Sequence, residues 1–355
     1  MKAVHNFCAG PCLLPQPVYE QAAQAILNFE NTGMSILSIS HRSAAFIAVL
    51  EEARQLALEL LKLDTKGYVA LFLQGGASME FLRIPYNLMK QKAAYINTGV
   101  WSSKAIEQAK MLGEVNLVAS SEDQQFSYIP KSIQVSDPVD YVHFTSNNTI
   151  YGTQFNYIPQ TDAPLVCDMS SDIYSREFAY DQIDLIYAGA QKNIGAAGVS
   201  LILVKEDILG KTQRSIPQML DYQEHIAKDS LYHTANVFAV YTCLLNLRWL
   251  KQQGGVSAIE IVNNQKAALL YQTLDELDFV QGTAAREDRS KMNVVFTFKN
   301  ERMNALFDQL CEEAQIRNIK GHRAVGGYRA SLYNAVTLDS VTVLASVLNQ
   351  MKALV

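Results

Sequence analysis

Two ionisable residues of the sequence stand next to strongly apolar segments. Lys192 lies in AGAQKNIGAAG, among glycines and alanines and after the apolar run IDLIY, and Asp168 follows the apolar run LVC. Removing a charge from water is costly unless another group replaces the water. The question for the rest of the sequence is which group meets the Lys192 nitrogen.

Other residues suited to ligand binding come directly after strand-like runs. QGGAS follows YVALFL, TGVW follows AAYIN, and NNTIYG follows YVHFTS. In an open parallel sheet, ligands bind beyond the carboxyl ends of the strands. Glycines, Trp101, Thr149, Asp168 and Lys192 are therefore expected to converge on one rim of one sheet.

Each of these features has an ordinary explanation when it stands alone. A Gly-Gly pair is usually a turn, Trp101 would pack in a core, Asp168 would cap a helix, and Lys192 would extend its ammonium group to water. Their combination fits a planar cofactor with a phosphate, a basic ring nitrogen and an aldehyde. Glycines at a helix start bind phosphate, an indole stacks on a ring, and a carboxylate keeps the ring nitrogen protonated. A lysine bonds to the aldehyde and later acts as general base, so the set predicts pyridoxal 5'-phosphate attached to Lys192.

The elements that must position these residues alternate between strands and helices. Seven strand-like runs are 68–73, 93–97, 115–119, 141–146, 165–169, 183–188 and 199–204. Helical patterns cover 46–63, 77–90, 102–112 and 238–255. The strand runs are almost continuously apolar, which is typical of strands covered on both faces. The prediction is an α/β large domain with a mainly parallel seven-stranded sheet flanked by helices.

The pattern changes after residue 255. The runs that follow are a helix over 256–277, a strand over 293–298, a helix over 302–315, a strand over 329–333 and a closing helix. We therefore predict an N-terminal segment and large cofactor-binding domain over residues 1–255, and a smaller α+β domain over 256–355.

The composition limits the partners of the chain. Its 355 residues are 49% hydrophobic and 18% charged, as in ordinary globular proteins. A net charge of -5 argues against a nucleic-acid or acidic-membrane surface, so any anion must be held by a local cluster. Five cysteines without a CxxC pair indicate neither a disulfide framework nor a zinc site, and no leader peptide or long apolar span is evident. We expect a cytoplasmic protein without a metal.

Motifs spread over the whole chain resemble those of one family. They are NFCAGPCLLP, SISHRS, QGGAS, NTGVWS, SNNTIYGTQ, CDMSSDIYSR, IYAGAQKNIGAAG and KGHRAVGGYRASLYNA. The combination of AGAQKNIG with KGHRxVGGxRAS is highly specific. With it the sequence resembles the phosphoserine aminotransferases, class-V members of the fold-type I pyridoxal-phosphate enzymes. The resemblance implies a homodimer that carries out transamination between phosphoserine and 2-oxoglutarate, which yields glutamate.

The resemblance also implies roles for individual residues. Lys192 would bond to the cofactor, and Asp168 would pair with its ring nitrogen. The other cofactor contacts would be Trp101 on the ring, Thr149 near the ring hydroxyl, Gly76, Ala77 and Gln191 at the phosphate, and His233 and Thr234 across a dimer interface. The substrate phosphate would be held by His41, Arg42, His322 and Arg323, and the α-carboxylate by Arg329. Arginine suits both anions because its planar fork matches their oxygens.

Three positions depart from the pattern of the family. His233-Thr234-Ala235-Asn236 stands where most members have Asn-Thr-Pro-Pro, Ala9 where some have Ser, and Glu80 where Gln is common. Histidine still donates one hydrogen bond, so cofactor binding is expected to survive with altered affinity or pH response. Glu80 is expected to place a negative charge near the cofactor phosphate.

Two other classes of function stay open from the sequence. One is a sibling enzyme of the same fold, either a transaminase of unphosphorylated serine or a cysteine desulfurase. A desulfurase needs a mobile cysteine, whereas Cys311 in LFDQLCEEAQ is better explained by packing. The other is a binding or structural protein that keeps the cofactor fold without turnover, and a colourless purified protein would indicate it.

Overall fold

The computed structural model describes residues 3–354. Its strands are β1 (His5–Asn6), β2 (Tyr68–Gln74), β3 (Lys92–Asn97), β4 (Glu114–Ser120), β5 (Val142–Thr145), β6 (Asn147–Asn148), β7 (Thr153–Gln154), β8 (Leu165–Asp168), β9 (Leu185–Gly189), β10 (Val199–Lys205), β11 (Val280–Gly282), β12 (Asn293–Phe298), β13 (Ile316–Arg317) and β14 (Tyr328–Ser331). Its α-helices are α1 (Gln16–Leu27), α2 (Ala44–Glu59), α3 (Ala77–Leu88), α4 (Val100–Ala109), α5 (Tyr222–Ala227), α6 (Val237–Gln252), α7 (Gly255–Asp275), α8 (Arg302–Glu313) and α9 (Leu338–Leu354).

A seven-stranded sheet in the order β2-β10-β9-β8-β5-β3-β4 carries the site. Strand β10 runs antiparallel to both of its neighbours, β2 and β9, and the other pairs in the sheet are parallel. The carboxyl ends of β2, β8 and β9 therefore meet at one edge. The predicted α/β class and the mainly parallel seven-stranded sheet are confirmed.

Both faces of this sheet are covered, as the apolar runs predict. In β2, Ala70 and Phe72 belong to one hydrophobic cluster, whereas Leu71 and Leu73 belong to another. Successive side chains of a strand point to opposite faces, so a strand buried on both sides needs apolar residues at every position. The seven strands match the seven predicted runs to within two residues at each end.

The C-terminal part has a separate core. Strands β11, β12 and β14 form an antiparallel sheet, and helices α7, α8 and α9 contribute to the same hydrophobic cluster. Phe7 belongs to this cluster too, and β1 pairs in parallel with β13, His5 opposite Ile316. The chain thus begins against its C-terminal part before it enters the large sheet. The domain boundary at residue 255 remains a prediction.

Within residues 3–354, no helix combines the length and the apolar character needed to cross a membrane.

Candidate active site

A cavity of about 340 Å³ opens at the carboxyl ends of β2, β8 and β9. Six of the residues predicted for the cofactor line it: Gly76, Ala77, Trp101, Asp168, Gln191 and Lys192. Gly10, Pro11 and Ser170 complete part of the wall. The volume lies within the range typical of small-molecule sites. The convergence on one rim that the sequence predicts is therefore present in the structure.

Lys192 lies in the turn after β9, and only 9% of it is exposed. Its Nζ donates to Thr149 Oγ1 at 2.7 Å and lies 5.7 Å from the centre of the Trp101 ring. Burial lowers the pKa of Lys192 to about 8; the charge of Asp168 opposes this shift, and the charge of Arg329 adds to it. A lysine with this pKa is neutral in about a tenth of molecules at pH 7, far more than an ordinary lysine, and the neutral amine is the nucleophilic form.

Asp168 ends β8 and is buried at the rim. Its Oδ1 accepts hydrogen bonds from the main-chain N–H of Ser170 at 2.9 Å and from the Ser170 hydroxyl at 2.6 Å. Burial raises the pKa of Asp168, whereas the Ser170 hydrogen bonds and the charge of Lys192 lower it. A cationic ring nitrogen against this carboxylate would favour the ionised form further. Ser170 is missing from the sequence prediction, although its position two residues after an aspartate is a known turn pattern.

The loop between β2 and α3 has the backbone geometry of an anion site. Gly75 and Gly76 adopt φ angles of +118° and +66°, and a Cβ added to Gly75 would lie 2.6 Å from the Cβ of Met79. Gly76 is the N-cap residue of α3, and because glycine has no side chain, no capping side chain occupies the first N–H groups of the helix. The first N–H groups of α3 are thus available to a phosphate at the positive end of the helix. Together with the buried amine and carboxylate, this donor set fits pyridoxal phosphate.

Glu80 does not play the role expected from the sequence. Its side chain is fully buried behind the loop, where Oε1 accepts from Arg83 Nη1 and from the Ser200 hydroxyl, and Oε2 accepts from the Tyr222 hydroxyl, each at 2.6 Å. The negative charge is paired with Arg83 and is absent from the cavity wall. The prediction of a negative charge at the cofactor phosphate is therefore wrong. Arg83 lies three residues after Glu80 on α3, on the same helix face, and pairs with it.

Three of the predicted substrate residues lie on the C-terminal side of the site. Arg329, on β14, donates from Nη1 to the carbonyl of Thr149 at 3.3 Å, and its Nε is buried without a partner among the described residues. Burial lowers the pKa of Arg329. Burial also lowers the pKa of His322, and the positive charges of Arg329, Arg323 and Lys104 add to that effect. Three positive charges, those of Arg329, Arg323 and Lys104, thus act on one imidazole ring.

Lys104 is a residue that the sequence prediction missed. Its Nζ lies 5.0 Å from the centre of the Trp101 ring, one turn further along α4. It acts on His322 electrostatically, as noted above. The available signal was its spacing of three residues from Trp101, which places both on the same helix face.

The remaining predicted residues, in the segments 41–42 and 233–234, form a second group. His41 has its pKa lowered by burial first, then by Arg42 and by His233. Thr234 accepts a hydrogen bond at its carbonyl from Gln74 Nε2 at 2.5 Å. None of the predicted substrate residues lines the cavity itself, and neither do His233 and Thr234. Two groups result: the charge of Arg329 acts on both Lys192 and His322, and Arg323 acts on His322, whereas Arg42 and His233 act on His41.

Fold type I of the pyridoxal-phosphate enzymes is the class that this sheet and this rim define. The model of the family described as Aminotransferase class-V matches residues 4–344. A phosphoserine aminotransferase of Flavobacterium psychrophilum is 55% identical over 98% of this chain and 98% of its own.

Solved structures agree with the sequence comparison. A phosphoserine aminotransferase from Bacillus circulans subsp. alkalophilus has a TM-score of 0.95 at 41% identity and covers 99% of both chains. A pyridoxal-phosphate-bound phosphoserine aminotransferase from Trichomonas vaginalis has a TM-score of 0.92 at 31% identity, with 98% of this chain and 100% of its own covered. This chain belongs to the class-V aminotransferases and, within them, to the phosphoserine aminotransferases. It is a pyridoxal-phosphate-dependent enzyme.

Proposed function

We propose that the chain catalyses the reversible transamination between O-phospho-L-serine and 2-oxoglutarate, which gives 3-phosphohydroxypyruvate and L-glutamate in serine biosynthesis. The observation that carries this proposal is the cluster of cations beside the buried lysine. The Nε of Arg329 is a buried donor without a partner among the described residues, and the positive charges of Arg329 and Arg323 both act on His322. Two separate anionic groups, a carboxylate and a phosphate, match this arrangement better than a single small anion does.

The residues of the chain divide the chemical work among themselves. Pyridoxal phosphate, when bound, supplies a ring that accepts the electrons released as the α-proton of the substrate leaves. Lys192 holds the cofactor and then, as a neutral amine, moves that proton. Asp168 holds the proton on the ring nitrogen, and Trp101 covers one face of the ring. Thr149 keeps the Lys192 nitrogen in place through the 2.7 Å hydrogen bond.

The substrate is oriented by cationic groups around the cofactor. Arg329 binds the α-carboxylate, since its free Nε and its weakly bonded Nη1 can serve two oxygens. His322 and Arg323 bind the distal phosphate or, for glutamate, the distal carboxylate. Gly76, Ala77 and Gln191 bind the cofactor phosphate. These roles account for every predicted site residue except His41, Arg42, His233 and Thr234.

A homodimer completes the site in this proposal. His233 and Thr234 reach the cofactor phosphate of the second subunit, and His41 and Arg42, which lie with them, reach its substrate phosphate. An apolar surface on the preceding segment supports this arrangement: Leu27, Met34 and Leu37 are 77%, 50% and 64% exposed in the single chain. Exposed apolar side chains in one segment mark an interaction surface.

We also propose a cytoplasmic location and a two-domain division at residue 255. All five cysteines are free thiols, which suits a reducing compartment. A left-handed Gly254, at φ +94°, precedes α7, and the helix then enters the C-terminal core. Cys311 lies in that core and is buried, so the packing role expected from the sequence accounts for it.

Half-reactions with separate amino donors test the proposed function. The absorbance of the bound cofactor is followed after phosphoserine, glutamate or serine is added to the holoenzyme. Phosphoserine and glutamate should both react, whereas serine should be slower by at least about 100-fold, because it lacks two or more charge-assisted hydrogen bonds of roughly 1.5–3 kcal/mol each. Equal rates for serine and phosphoserine would identify the sibling transaminase instead. Lys192→Ala should lose the borohydride-reducible link to the cofactor, and its retention would place the link on another lysine.

A further inference from the structure

Gln74 connects the cofactor loop to a second functional segment. It is the last residue of β2 and directly precedes Gly75 and Gly76 of the cavity wall. Its side-chain Nε2 donates to the carbonyl of Thr234 at 2.5 Å, and its own carbonyl accepts from Arg83 Nη2 at 2.9 Å. One residue is thus bonded both to helix α3, which begins at the phosphate loop, and to the segment 233–234.

A buried cluster makes a second connection between the same two places. Arg83 and Glu80 pair on α3 with side-chain exposures of 3% and 0%, and Glu80 accepts from the hydroxyl of Tyr222. Tyr222 is the first residue of α5, and the ring of His225 on that helix lies 5.6 Å from the ring of His233 at 84°. Both members of the ion pair lie on α3, and the hydrogen bond from the Tyr222 hydroxyl to the buried Glu80 carboxylate joins α5 to them.

The direct link is suited to change with cofactor binding. Gln74 and Thr234 are exposed in the single chain, so before a partner subunit and its cofactor cover Thr234 their hydrogen bond competes with water and adds little stability by itself. The glycines beside Gln74 have no side chains to fix their positive φ angles. A phosphate held by the N–H groups of this loop would restrict the loop, and with it the Gln74 side chain.

We propose that Gln74 is a positioning residue that couples cofactor binding in the two subunits. This inference rests on the proposed dimer, in which Thr234 and His233 meet the cofactor phosphate of the partner. Cofactor in one site orders the loop, Gln74 then holds Thr234 in place, and the second cofactor meets a segment that is already ordered. Because less conformational entropy is lost in the second step, the second molecule binds more tightly than the first.

A titration of the apoenzyme measures the coupling. Pyridoxamine 5'-phosphate is a suitable probe because it has no aldehyde to bond to Lys192, so its binding is reversible. Binding is followed by the change in tryptophan fluorescence, since Trp101, one of the two tryptophans, lines the cavity. The wild-type dimer should show a Hill coefficient above 1, with the second site at least about fivefold tighter than the first after statistical correction.

Two variants test the route, and a third controls for the substitution. Gln74→Met keeps the length of the side chain and removes the donor, so the Hill coefficient should fall to 1. Tyr222→Phe removes one hydroxyl from the buried cluster and should lower the coefficient as well, which gives an independent test if Gln74→Met folds poorly. Gln272→Met alters an exposed glutamine whose amide bonds to Glu276, and it should bind cofactor like the wild type.

The outcomes separate this inference from the proposed function. A wild-type dimer with two independent sites, or an unchanged coefficient in both Gln74→Met and Tyr222→Phe, would overturn the coupling and leave the enzyme assignment standing. Light scattering that shows a monomeric active wild type would overturn the dimer itself. Rapid reaction with serine but not phosphoserine would overturn the proposed substrate without altering the cooperativity.

Discussion

Replacing Arg329 with glutamine tests whether this residue binds the α-carboxylate that both amino donors share. In the structure its guanidinium makes one long hydrogen bond, 3.3 Å to the carbonyl of Thr149, and its Nε is buried without a partner in the described chain. A carboxylate bound by the fork would add two charge-assisted hydrogen bonds, each worth about 1.5–3 kcal/mol. Their loss amounts to roughly 3–6 kcal/mol, or about two to four orders of magnitude in kcat/KM.

The assay compares the two half-reactions in one protein. Rapid-mixing absorbance measurements give kcat/KM for phosphoserine and for glutamate, and both should fall by similar factors in Arg329→Gln. Arg323→Gln should instead impair phosphoserine more than glutamate, because more phosphate charge is left unpaired. Arg289→Gln is the matched control: that guanidinium is already paired with Asp275 through hydrogen bonds of 2.8 and 2.7 Å and should not contribute to binding.

A loss of kcat/KM for only one of the two amino donors would refute this reasoning. If Arg329→Gln left either donor at its wild-type kcat/KM, the residue could not hold the group that the donors share. Equal losses in Arg289→Gln would show that the assay responds to damage of the C-terminal part in general.

Three other predictions follow from the buried charges. Asp168→Asn should keep the cofactor but slow turnover by orders of magnitude, since the ring nitrogen loses the charge that keeps it protonated; wild-type turnover at full occupancy, read from absorbance, would contradict it. Covalent attachment of the cofactor to apoenzyme should accelerate as pH rises through about 8, where Lys192 becomes neutral, and the midpoint should move upward in Arg329→Gln, because a positive charge that lowers the pKa of Lys192 is gone; stopped-flow mixing across pH would reveal an unmoved midpoint. The Nζ of Lys266 lies 2.9 Å from three carbonyl oxygens, of which the neutral amine can donate to two, and burial lowers its pKa to about 7 from 10.5. The unfolded chain therefore binds the extra proton between these values, so the free energy of unfolding should rise with pH there by up to about 1.4 kcal/mol per unit. Lys266→Met should lose that slope in denaturant titrations at pH 7, 8 and 9, and an equal slope in both proteins would argue against the assignment.

The sheet and much of the cavity lining were predictable because their signals are local. Each strand of the large sheet is a short apolar run, and for the strands that run in the common direction, which excludes the antiparallel β10, the residue after the run lies at the rim. The first helix, Gln16–Leu27, was missed because its buried residues are Val18, Ala22 and Ala25, and alanines give a weak apolar periodicity. Strands β1 and β13 have two residues each, too few for any pattern.

Contacts between distant residues explain the rest. The sequence shows that Glu80 follows a phosphate loop. It does not show that Tyr222, 142 positions later, donates a hydrogen bond to the Glu80 carboxylate. It shows two His-Arg pairs of similar appearance, yet His41 lies with His233 whereas His322 lies with Arg329. Which pair serves which subunit depends on the tertiary arrangement, and spacing along the chain carries no signal for it.

The start of the chain has a consequence for the order of events during synthesis. Gly10 and Pro11 form part of the cavity wall, and the hydroxyl of Tyr333 donates to the carbonyl of Ala9 at 3.0 Å. Strand β1 likewise pairs with β13. During synthesis, residues 5–9 therefore lack these contacts until residues 316–333 have left the ribosome, and contacts of such long sequence separation form late. We expect cofactor binding to be one of the last steps in the maturation of each molecule. In a stalled product without β13 and β14, the cavity at the sheet edge should stay open to water.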